Sequence, residues 1–190
     1  MSAEPVLAGL FVGGASRRMG GSPKGLLPAP DGSGTLIERL VRVARGAGLR
    51  PVLVGRNAAV EAALPALDCV DDRPGGSGPI AGVAALLRCG SRRAIVLSCD
   101  LPAVSAAALR RLAGAAPEAA IVAPRDDAGR WQPFFSRWDA SALPLVEAAI
   151  AAGERSMQPL LDRHAVQLPL SPGEWHELRD WDTPGDVAAG

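Results

Sequence analysis

Apolar runs too short to be buried helices alternate, over the first two thirds of the chain, with stretches whose apolar residues recur at helical spacing. This alternation restricts the fold more than any other feature. Strand, helix, strand with short connections forces a mostly parallel sheet covered by helices on both faces. Val6 to Val12 is a continuous apolar run, the pattern of a strand buried on both sides, and a Gly-rich loop follows it. Thr35 with Glu38 has the spacing of a capping box and opens a helix that runs to Gly46. Further strands are expected at Pro51–Gly55, Leu67–Val70, Ala94–Ser98 and Ala120–Ala123, separated by helices at 58–64, 80–87 and 105–112.

The regularity breaks after Pro124. Trp131–Arg137 reads as a strand that pairs differently from the others, Asp139 as the cap of a helix reaching Ala152, and Met157–Arg163 as a further helix. A strand at Ala165–Leu170, a Pro/Gly loop and the segment WDTPGD close the chain. No repeat or long linker divides it, so residues 1–190 are expected to form a single α/β domain.

Composition narrows the function classes. Twenty basic residues balance twenty acidic ones, which argues against a nucleic-acid binder. No apolar run approaches the roughly 18 residues that span a bilayer, so no membrane association is expected. The N-terminus lacks the basic start and cleavage site of a signal peptide, and the expected location is cytoplasmic. Cys69, Cys89 and Cys99 have no metal-ligand spacing and are expected to be reduced and buried. Of the basic residues 19 are arginines, and Lys24 is the single lysine. A background so rich in Arg keeps a lysine where a guanidinium cannot serve.

In an open parallel sheet, ligands bind at the carboxyl ends of the strands. The first strand delivers GGASRRMGGSPK there, whose glycines let backbone N–H groups approach an anion and whose Arg17, Arg18 and Lys24 can neutralise phosphates. It is neither a P-loop nor a GxGxxG fingerprint. The third strand delivers Asp71 and Asp72, and the fourth delivers Asp100. A carboxylate at the mouth of a buried strand is costly without a cation, and Asp100 stands too far from Ser105 to cap the next helix. Magnesium, held by one or two carboxylates and substrate phosphates, is the natural partner. Thr183 and Pro184 fit a helix start, which leaves Asp182 as the second candidate metal ligand.

Together, Gly13 to Lys24, then Gly78-Pro79-Ile80-Ala81-Gly82, Cys99-Asp100-Leu101-Pro102 and Asp182-Thr183-Pro184 resemble the molybdenum cofactor guanylyltransferase family, nucleotidyltransferases of a glycosyltransferase-A-like, Rossmann-like fold. The resemblance spans nearly the whole chain. It implies transfer of GMP from GTP to the phosphate of molybdopterin, with magnesium as cofactor. It further implies nucleotide contacts from Phe11, Val12, Gly13, Gly14, Lys24, Asn57 or Gly55, Asp72 or its neighbour Asp71, Gly78 and Asp100, with Lys24, Arg18 and Asp100 as the catalytic set. Gln132-Pro133 and Ala152-Gly153-Glu154-Arg155 resemble segments on the acceptor side, and molybdoenzymes or cofactor-delivery proteins would receive the product.

The chain departs from the family where Phe11-Val12 replaces Leu-Ala, Pro23 replaces an Asp beside the lysine, and Asp182 replaces Asn. A cytidylyl or sugar-1-phosphate nucleotidyltransferase and a non-catalytic nucleotide-binding module are the alternatives.

Overall fold

In the computed structural model, which describes residues 5–12, 23–72 and 78–181, one seven-stranded sheet organises the chain. Its strands are β1 (Leu7–Phe11), β2 (Arg50–Val54), β3 (Cys69–Val70), β4 (Arg93–Ser98), β5 (Ile121–Ala123), β6 (Phe135–Asp139) and β7 (Ala165–Gln167), in the order β3-β2-β1-β4-β6-β5-β7. Only β6 runs against its neighbours β4 and β5. β1 has β2 on one side and β4 on the other, both parallel to it. The order of the strands therefore reverses beside β1, and the crevice at the carboxyl ends of β1 and β4 is the switch point of the sheet.

Side chains alternate across the strands, so each face collects its own core. Leu7, Val52, Val54, Ala94, Val96 and Trp138 meet the helices α3 (Pro79–Leu87), α5 (Leu143–Ala151) and α6 (Gln158–His164) on one face. Ala8, Leu10, Leu53, Ile95, Leu97 and Phe135 meet α1 (Leu36–Gly46), α2 (Ala58–Ala63) and α4 (Ala106–Gly114) on the other. Burial on both sides is why the central strands read as unbroken apolar runs. The capping box of α1 forms as its spacing predicts: Thr35 Oγ1 accepts from the Glu38 N–H, and Glu38 accepts from the Thr35 N–H at 2.8 Å.

Several boundaries differ from the sequence expectation. β3 is only two residues long, an edge pairing of Leu53 with Cys69 and Val54 with Val70. β6 starts at Phe135 rather than Trp131, because Pro133 has no N–H to give a ladder and Phe135 N–H first closes a turn on Gln132 O. Asp139 caps a single 3-10 turn, Ala140–Ala142, and α5 begins after it. β7 stops at Gln167, before Pro169.

The expected Pro/Gly loop is instead a helix, α7 (Pro172–Glu177), opened by a second capping box in which Ser171 Oγ accepts from the Glu174 N–H. The thiols also differ from expectation: Cys89 is exposed, while Cys69 and Cys99 are half-buried.

Candidate active site

The site is built on the contact between Gly25 and Cys99. Lys24–Leu26 forms a 3-10 turn whose Gly25 is buried, and a Cβ at Gly25 would lie 3.3 Å from Cys99 Cβ. The bare glycine lets this turn rest on the end of β4, which brings Lys24 beside Asp100. Lys24 Nζ donates to Asp100 Oδ2 at 2.9 Å, and both side chains are largely shielded from solvent, 18% and 11% exposed. Ser98 Oγ donates to the other carboxylate oxygen, Oδ1. Trp181 N–H donates to the Asp100 carbonyl at 3.1 Å, and the Trp181 side chain is buried against Ala29 and Leu36. Burial, then the negative charge of Asp100, pushes the neighbouring Cys99 thiol up to about 12, which removes it as a nucleophile.

Asp100 caps none of the described helices. Ser105 caps α4, accepting from Ala108 N–H at 3.1 Å, while its own N–H donates to Glu177 at 3.0 Å. Asp100 is 8% exposed, and among the described residues its carboxylate accepts from Lys24 and Ser98 rather than from a helix N-terminus, an arrangement able to receive a cation. Oxygen donors of this kind suit a hard divalent ion, and Asp100 is the described residue that could hold one. Asp182, the proposed partner ligand, lies outside the described residues, as do Gly13, Gly14 and Arg18. Among the described residues no cluster of three His, Cys, Asp or Glu side chains is placed to hold a metal.

The remaining candidates surround the same edge. Phe11 ends β1 and meets Phe134 edge to face, with ring centroids 5.7 Å apart. Val12 is buried and its N–H donates to Val54 O at 3.1 Å, so a ligand contact from this backbone falls to its carbonyl. Asn57 caps α2, its Oδ1 accepting from Val60 N–H at 3.2 Å. That capping accounts for its residue type without a nucleotide. Asp72 follows β3 and is half-buried, whereas Asp71 is exposed.

Two glycines of the GPIAG segment serve packing. Gly78, with φ of 65°, is the N-cap of α3, and a Cβ there would collide with the Arg155 carbonyl. A Cβ on Gly82 would lie 2.6 Å from the Phe11 ring and 2.9 Å from Val54. The missing side chains therefore admit protein atoms, the Arg155 backbone at Gly78 and the Phe11 and Val54 side chains at Gly82. Gly78 also joins GPIAG to the Glu154-Arg155 segment, two motifs far apart in sequence.

A cavity of about 240 Å³ opens beside Asp100, lined by Ser98, Gln132, Phe134, Leu178 and Asp180 among others. Gln132, expected on the acceptor side, lines the same cavity as Asp100. Asp180 was not singled out by sequence. Its signal was its place two residues before Asp182, in a segment that Trp181 ties to the Asp100 backbone.

The profile of the MobA-like NTP transferase domain matches residues 8–168. The chain belongs to this family. A Pseudomonas putida protein named molybdenum cofactor guanylyltransferase is 41% identical over 83% of each chain. A probable molybdenum cofactor guanylyltransferase from Opitutus terrae is 32% identical over 97% of this chain and 94% of its own. The crystal structure of molybdopterin-guanine dinucleotide biosynthesis protein A from Archaeoglobus fulgidus superposes with a TM-score of 0.78 at 25% identity, covering 97% of this chain and 96% of that one. The protein is thus an enzyme of the nucleotidyltransferase type with an α/β fold. Among its described residues no helix is long and apolar enough to cross a membrane.

Proposed function

We propose that this nucleotidyltransferase transfers GMP from GTP to the terminal phosphate of molybdopterin, releasing pyrophosphate, with magnesium held at Asp100. The observation that carries the reading is the Lys24–Asp100 pair at the carboxyl edge of β4, one cation and one carboxylate beside a cavity, in a chain whose relatives are named guanylyltransferases. The acceptor brings its own nucleophile, a phosphate oxygen. Its bond to the α-phosphorus forms as the bond to pyrophosphate breaks, and the electron pair leaves with the pyrophosphate.

No general base is required, and the work left to the protein is positioning and charge neutralisation. Lys24 faces the phosphates with a compact ammonium, and Arg18 adds a second cation on the resemblance alone. Magnesium, when bound, supplies further neutralisation of the phosphate oxygens. Gln132 and Phe134 line the cavity, and on this reading the acceptor enters on their side. Molybdoenzymes or cofactor-delivery proteins would take the dinucleotide product.

The test is release of pyrophosphate from GTP, CTP, ATP and UTP, each with and without molybdopterin, in the presence of magnesium. GTP with molybdopterin should give turnover and the other three little. CTP as the preferred donor would make the enzyme a cytidylyltransferase. Turnover with none of them would leave a nucleotide-binding module.

A further inference from the structure

The carboxylate of Asp100 is engaged at both oxygens by the chain's own donors, and the two donors differ in kind. Ser98 lies at the end of β4, its N–H donating to Phe134 O at 3.2 Å, so its hydroxyl reaches Oδ1 from a rigid strand and carries no charge. Lys24 reaches Oδ2 from a 3-10 turn through four methylenes and carries a full positive charge. A divalent ion and an ammonium on the same carboxylate oxygen exclude and repel one another. A neutral hydroxyl on the other oxygen does neither. It fixes the plane of the carboxylate and leaves the anionic charge in place.

We propose that Ser98 is the positioning residue of a metal site on Asp100, retaining Oδ1 throughout, and that Lys24 occupies Oδ2 until a divalent ion displaces it. The released ammonium then turns to the nucleotide phosphates. Metal and triphosphate bind cooperatively for this reason, since the triphosphate gives the displaced Lys24 a new anion, and the coupling is reciprocal. The inference rests on the reading of Asp100 as a metal-binding carboxylate, and it adds the order of exchange and the role of Ser98.

Manganese is the probe, its free concentration read by electron paramagnetic resonance during titration of the full chain. Without nucleotide, Lys24→Met should bind Mn²⁺ about tenfold more tightly than the wild type, because the competing charge is gone. A GTP analogue that cannot be cleaved should tighten Mn²⁺ binding in the wild type and add much less in Lys24→Met. Ser98→Ala should weaken Mn²⁺ binding in both states, and Ser98→Thr, which keeps the hydroxyl, should restore it.

Equal Mn²⁺ affinity in Lys24→Met and wild type, including binding too weak to register in either, would overturn the exchange. Wild-type affinity in Ser98→Ala would overturn the positioning role. Lys24→Met keeps the length of the side chain and is a separate variant, so its arm reads out even if Ser98→Ala fails to fold. The metal-only arm contains no nucleotide, and a preference for a triphosphate other than GTP leaves it standing. Mn²⁺ binding unchanged by Asp100→Asn would remove the metal reading itself.

Discussion

Lys24 shows how a single residue type can be constrained by geometry. It is the one lysine among 20 basic residues, and its Nζ meets one oxygen of a largely buried carboxylate. A guanidinium is a broad planar fork and cannot substitute for a compact ammonium above a turn whose Gly25 is pressed on Cys99. Lys24→Ala should reduce kcat of the folded fraction by about a hundredfold or more, in line with the loss of a group that neutralises developing charge, and should also lower the melting temperature, because Asp100 loses the ammonium paired with it. Lys24→Arg should be impaired as well. Steady-state kinetics on the folded fraction, beside a thermal melt, check both. Normal specific activity with a collapsed melting temperature would make Lys24 a structural residue. Both Lys24 and Asp100 were legible in the sequence, because their types are unusual for their surroundings. Asn57 was less so, since a helix cap and a nucleotide contact ask for the same side chain.

At the scale of elements, the site depends on helices whose starts carry specific chemistry. Gly78 opens α3 at positive φ against the Arg155 backbone, so Gly78→Ala combines backbone strain with a collision that no side-chain movement relieves. It should cost about 2 to 3 kcal/mol of stability, measured as a shift in the urea midpoint at constant slope. The capping box of α7 adds a pH dependence. Hydrogen bonds from Ser171, together with Arg111, hold the Glu174 carboxyl down at about 2, below its ordinary 4.5. A carboxyl depressed in the folded state stabilises above its unfolded value and loses that contribution as pH falls. The stability owed to α7 should therefore be intact at pH 6 and decline between about 4.5 and 2. Glu174→Gln should flatten that part of the pH–stability curve, and an unchanged curve would show that the box contributes nothing. The sequence signal for this helix, Ser171 followed by Glu174 with Pro172 between, was present but outweighed by the reading of Pro and Gly as loop formers.

For the whole molecule, the architecture was legible because burial on both faces leaves unbroken apolar strands, and strand–helix alternation then fixes their direction. The antiparallel β6 was visible only as an irregularity, since its partners depend on where the chain returns after α4 and not on its own composition. The same return places Phe134 against Phe11, and Gln132 and Phe134 in the lining of the cavity that Asp100 also lines, so that this cavity and the end of β1 meet at the switch point of the sheet. A ligand bound across that crevice engages β1 and β4 together and stabilises the fold by mass action. The gain is about 2.7 kcal/mol at a hundred times the dissociation constant, which corresponds to several degrees in a chain of this size. GTP with magnesium should raise the melting temperature more than CTP with magnesium at equal concentration, because Gly13-Gly14 and GPIAG resemble the guanylyl branch of the family. A scanning thermal melt over a concentration series of each triphosphate separates affinity from nonspecific effects, since only specific binding follows the logarithmic dependence on ligand. An equal or larger shift with CTP would move the donor preference to the cytidylyl branch.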